Sequence, residues 1–287
     1  MHRSSRSHVV ALLALIICNP NGAPAQVVRS ASGNSSTVTA ARDQFRVDLG
    51  GGTTAGANGS FGGVRREINW DGVPAAFSAP NNLPANFFNV NSPRGAVLST
   101  PGSGFQVSGA TTDAGAGQPA AANFGNIDPS YTTTFAAFSA QRLFTPIGSN
   151  VMDVTFFIAG TTTAALTSGF GAIFTDVDFA NMTSIEFFNA ANASLGTFFV
   201  PGVAAANQSF SFLGVSFGAP VISRVRITLG NTPLAAGNTD QMGALRDVVA
   251  LDDFIYAEPI PEPGTYALLA FGGLLVTSRL RRARAAK

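Results

Sequence analysis

The segment from Arg224 to Leu229 alternates strictly: Val225, Ile227 and Leu229 are apolar, and Arg224, Arg226 and Thr228 between them are polar. A two-residue period puts all the apolar side chains on one face of an extended strand. Ser209, Phe210, Ser211 and Phe212 repeat the pattern. Further strands are expected at 152–158, 170–179, 184–188, 196–200 and 248–256, divided by turn residues such as Gly160, Gly169, Pro201, Gly202, Pro220 and Gly230. Outside the two ends no stretch shows a convincing 3.6-residue period. Short strands at this spacing predict an all-β chain, a jelly-roll-like β-sandwich spanning 63–257. Residues 26–62, rich in Ser, Thr, Ala, Asn and Gly, read as a low-complexity, flexible or partly ordered lead-in. The half before residue 140 is less regular, and its Pro- and Asn-rich runs suggest long loops.

Of 287 residues, 46% are hydrophobic, enough for one sizeable core, and only 11% are charged, against about 25% in an average soluble protein. The overall charge of +1 hides a division. Arginines cluster at the two ends, whereas 26–257 holds 10 Arg, no Lys and 14 carboxylates. A mildly acidic middle without a basic cluster argues against nucleic acid as a partner. Cys18, His2 and His8 are the only residues of their kinds and all precede Gln26. The rest of the chain therefore lacks the side chains for disulfides, thiol nucleophiles, Ser-His-Asp triads and ordinary zinc sites.

The two ends read as processing segments. Residues 1–25 have a basic start at Arg3 and Arg6, an apolar run from Val9 to Cys18, and small residues at Ala23 and Ala25. This is the pattern of a secretory signal cut before Gln26 by signal peptidase. The apolar run is too short to span about 30 Å of hydrocarbon. At the other end, in 258–287, Pro261, Glu262 and Pro263 precede an apolar stretch over 264–278, expected as a single transmembrane helix. A basic stop over 279–287 follows, with Arg279, Arg281 and Arg282 at its head, which would hold the terminus on the cytoplasmic side.

These three parts in order resemble the PEP-CTERM sorting signal. The resemblance implies an exosortase as processing partner, a Gram-negative host that makes exopolysaccharide, transient residence in the inner membrane, and then the cell surface or extracellular matrix. Four core segments, 170–178, 184–188, 222–227 and 249–256, are similar to sandwich domains of exported bacterial proteins with this tail. That second resemblance bears on the fold more than on activity.

Few residues offer chemistry. Asp176 and Asp178, two apart on a strand, share a face, and Asp252 and Asp253 lie on the last strand. Convergence of the two pairs would suit a structural Ca²⁺; otherwise they are solvated strand ends or bind turn amides. Glu67 and Glu186, the only glutamates between 26 and 257, would have to meet each other or a neighbouring aspartate to serve a glycosidase, and ordinary surface charge is the plainer reading. Trp70 is the sole tryptophan: either a stacking platform for a sugar or a plug in the core. The expected function is a non-catalytic surface or matrix β-sandwich associated with exopolysaccharide. The alternatives are a specific carbohydrate-binding module and, behind it, a glycan-active enzyme.

Overall fold

The computed structural model describes residues 26–53, 64–111, 119–262 and 264. The signal segment with Ala23 and Ala25, and the tail from 265 with Arg279, Arg281 and Arg282, lie outside the described residues, as does Pro263. Among the described residues no helix is long and apolar enough to cross a membrane.

The described chain begins with strand β1 (Gln26–Gly33) and helix α1 (Ser35–Leu49). Then come β2 (Arg65–Ile68), a single turn α2 (Phe87–Val90), β3 (Ala96–Ser99), β4 (Gly104–Val107) and a second single turn α3 (Tyr131–Thr134). The more regular half holds β5 (Phe144–Ile147), β6 (Val151–Phe156), β7 (Ala165–Leu166), β8 (Gly169–Thr175), β9 (Ser184–Phe188) and β10 (Ser194–Phe199). It ends with β11 (Phe210–Phe217), β12 (Arg224–Thr228), β13 (Ala250–Ala257) and β14 (Ile260–Pro261).

Two antiparallel sheets carry the fold. One runs β1-β11-β8-β13-β5-β4, with β2 also paired to β13; the other runs β10-β9-β12-β6-β3. The chain changes sheet repeatedly, from β3 to β4, β5 to β6, β8 to β9 and β11 to β12 to β13. On β12 the alternating residues behave as their period predicts; on β11 they do not, since Ser211 is as buried as Phe212. Val225 and Ile227 are fully buried between the sheets with Val154, Ile185 and Phe187, while Arg224 and Arg226 face outward.

The central strands of the first sheet, β8, β11 and β13, are buried on both faces and show no exposed position. The outer side of this sheet is covered by α1, whose Val38 and Phe45 pack on Ile173, Phe212 and Ile255. Over 26–53 the chain is therefore part of the fold rather than a lead-in, while 54–62 lie outside the described residues. Residues 26–53 supply an edge strand, registered from Gln26 on Phe217 to Gly33 on Phe210, and the longest helix described. Asn34 caps α1 by accepting from Thr37 N at 3.0 Å, and Gly50 closes it with φ 92°. Gly214 on β11 is required here: a Cβ at that position would lie 2.8 Å from the Phe45 ring, so only glycine lets the helix come this close. The fold also runs past residue 257. Glu258 pairs with Arg66, and Ile260 and Pro261 register on Leu166 and Ala165.

Candidate functional site

The expected meeting of four aspartates does not occur. Asp176 and Asp178 follow β8, and Asp176 takes the left-handed conformation (φ 68°) that turns the chain off the strand. Their partner is Asp240, from the long connection between β12 and β13: one carboxylate oxygen from each of the three lies within 4.8 Å of the others. Asp247, just ahead of β13, adjoins them and accepts from Asp178 N at 3.4 Å. The four meet because β8 and β13 are antiparallel neighbours, with Ala250 opposite Thr175, so the end of one strand adjoins the start of the other. Gly230 brings the connection against Asp247, where any side chain would strike the Asp247 backbone carbonyl. Burial and the other three carboxylates push Asp176 up to about 10. Burial raises Asp240 as well, and brings Asp247 to about 7.

Asp252 and Asp253 lie elsewhere, for a structural reason. The register of β13 on β8 shifts between Leu251 and Phe254, so both aspartates fall in a bulge, which re-aims side chains. Asp252 accepts from Phe138 N (2.6 Å) and Ser139 Oγ (2.8 Å), tying the 138–139 segment to the sheet. Burial raises both above the ordinary carboxylate range. Asp71, close enough to feel the Asp253 charge, is raised from 3.8 to about 6, chiefly by burial. Such a group keeps its proton in the folded chain after the unfolded chain has lost it. Its stabilisation is full below about pH 4 and is lost as pH climbs through about 6. Asp71→Asn is expected to make the fall in urea midpoint between pH 4.5 and 7 shallower than in the parent; parallel profiles for the two proteins would refute it.

Trp70 is a plug. It is 1% exposed, stacks on Phe144 at 4.0 Å and 5°, and donates its indole N–H to the Asp252 carbonyl. It borders a pocket of about 260 Å³ with Asn91, Ser92 and Arg94 but has no face free for a sugar, so the platform reading is corrected. The two glutamates do not share a cleft. Glu67, on β2 of the first sheet, is gripped by Arg46 (2.6 and 3.0 Å) and Arg65 (2.8 Å). Glu186 is on β9 of the second sheet, bonded to Ser194 Oγ at 2.8 Å.

The outer face of the second sheet was not singled out from the sequence, although its polar alternation was visible there. Pairing aligns Thr197, Glu186, Arg226, Asp153 and Ser99 in one row across five strands. Arg226 holds Asp153 with two bonds of 2.8 and 3.1 Å. In the adjacent row the Arg224 guanidinium lies 3.7 Å from the centre of the Phe188 ring. The face is open: the Arg226 side chain is 43% exposed and Phe199, at its edge, 48%.

No family model matches the chain, and no curated protein matches it. Similar solved structures include two variants of the family 29 carbohydrate-binding module CBM29-2. The first is 8% identical and aligned over 44% of this chain and 76% of that one, with a TM-score of 0.24. The second is 11% identical over 46% and 82%, also at 0.24. A third, described as a family 29 carbohydrate-binding module, is 11% identical over 41% and 67%, at 0.23. Likeness at this level says nothing of what this chain binds.

Proposed function

We propose that this chain is an exported, non-catalytic β-sandwich of the cell surface or extracellular matrix that contacts polysaccharide through the open face of its second sheet. The carrying observation is the row Glu186, Arg226 and Asp153 beside the Arg224–Phe188 pair. Carboxylates and guanidinium groups fixed on a sheet face offer acceptors and forked donors to sugar hydroxyls, and the exposed Phe199 ring at the edge offers an apolar patch beside them. Alternation of the chain between sheets supports a jelly-roll-like topology. On this reading Ala23 and Ala25 precede the signal peptidase cut at Gln26. An exosortase removes the tail near Pro261, Glu262 and Pro263, after Arg279, Arg281 and Arg282 have held it in the inner membrane.

Two measurements test this. Intact mass of the protein recovered from its host's envelope and medium is expected to begin at Gln26 and end near Pro261 to Pro263; a mass retaining Arg279 to Lys287 would remove the sorting part. In native gels cast with the host's exopolysaccharide, the protein is expected to be retarded. Arg224→Ala with Arg226→Ala should restore most of its mobility at a cost of about 1–2 kcal/mol, since Arg226 is largely exposed but Asp153, which both arginines hold, is only 17% exposed. Equal retardation of parent and variant would remove the binding face.

A further inference from the structure

We infer that Asp176, Asp178, Asp240 and Asp247 form a structural site for one calcium ion that clips the β12–β13 connection to the ends of β8 and β13. An acidic cluster alone would not carry this; the unmatched oxygens do. Asp176 is fully buried, and neither of its carboxylate oxygens has a hydrogen-bond donor. Asp247 is also fully buried, with its Oδ2 without a donor. Native proteins rarely leave buried acceptors unmatched, and an unpaired buried charge is costly.

The remaining oxygens are distributed as a cation would need. Asp178 Oδ1 accepts from Ala206 N (3.3 Å), Asp240 Oδ1 from Val248 N (2.8 Å), and Asp247 Oδ1 from Asp178 N. Backbone amides thus hold one oxygen of each, and the second can turn inward. The charges that act on Asp176 are all carboxylates. Two ligands of one calcium ion at about 2.4 Å are at most about 4.8 Å apart, and the Asp176, Asp178 and Asp240 oxygens all lie within that distance of one another, close enough to share one ion. Oxygen donors without His or Cys select a hard cation over zinc or copper. A crowded buried site suits calcium, which tolerates irregular geometry and sheds water, better than magnesium.

The competing occupant is a proton shared by Asp176 and Asp240, and the two are separable. In the full chain stripped with EDTA, added Ca²⁺ is expected to raise Tm by about 5–10 °C once it exceeds its Kd a hundredfold. It should also slow chymotrypsin cleavage after Leu245, which is 55% exposed in the connection. Asp176→Asn keeps the side chain's size but cannot supply the charge that binds a cation, so it should keep about the parent's Tm under EDTA and lose the calcium-induced rise. Because the variant is expected to remain folded without the ion, loss of the rise cannot be mistaken for misfolding. Calorimetry with CaCl₂ should give about one ion per chain. A parent Tm and cleavage rate unmoved by 10 mM CaCl₂, or a rise equal in Asp176→Asn, would overturn the site and leave the shared proton in its place.

Discussion

Trp70→Ala is expected to cost about 4 kcal/mol of unfolding free energy, in the range found when large buried aromatics are truncated. The side chain stacks on Phe144 and meets Phe88 and Phe254 edge-on at 5.3 and 5.1 Å, so its removal strips contacts from several rings at once. It also frees the Asp252 carbonyl, which lies within the β13 bulge and has its donor in the indole. Trp70→Phe separates the two losses: it fills most of the volume and should cost about 1–2 kcal/mol, mainly for the unmatched carbonyl. Urea unfolding followed by circular dichroism measures both. A Trp70→Ala loss below about 1 kcal/mol would mean that the ring is not the centre of the core. Loss of polysaccharide retention in Trp70→Ala would reflect unfolding, whereas folded Trp70→Phe should be retained like the parent.

The second large effect belongs to Glu67. Arg65 is 1% exposed and Arg46 4%, and the Glu67 carboxylate lies between them. Removing one partner of a buried ionic group leaves charge without compensation, which costs about 3–5 kcal/mol. Here the arginines retain other acceptors: Gly50 O and Gly52 O for Arg65, Asp43 and Thr53 O for Arg46. Glu67→Ala is therefore expected near the lower bound, about 3 kcal/mol, and Glu67→Gln, which keeps one oxygen, at about half that. Equal stability of Glu67→Ala and the parent would show that the carbonyls alone hold the guanidinium groups. The same geometry bears on chemistry: both Glu67 oxygens are taken up by the guanidinium groups of Arg46 and Arg65, so neither is free to reach a glycosidic bond.

The strands with one wet face were legible because their signal is local. Arg224 to Thr228 and Ser184 to Phe188 alternate in the sequence as they do in space. Helix α1 was missed although it carries a helical stripe, Val38, Ala41, Phe45 and Leu49, bounded by Asn34 and Gly50. Its many Ser, Thr and Ala residues dilute the pattern, so the segment reads equally well as a low-complexity lead-in. Asp176 and Asp178 do come together, but beyond the end of β8 and with Asp176 left-handed, so a strand period is not the reason. Asp240 was not legible, since only the return of a long connection brings it near. Asp252 and Asp253 sit on a strand neighbouring β8, as expected, and a one-site bulge still turned them toward Phe138 and Ser139. Bulges leave no mark in a two-residue period.

The edge pairing of Gln26 through Gly33 with Phe217 through Phe210 also sets a timetable. The first strand to emerge during synthesis must wait roughly two hundred residues for its partner. β2 waits equally long for β13, since Arg65 registers on Ala257 and Ile68 on Phe254. Pairing between such remote segments is slow, because the entropy of closing the loop is lost before any contact forms. β1 and β2 thus have no strand to pair with until the last strands are made, and the first sheet closes only when these arrive.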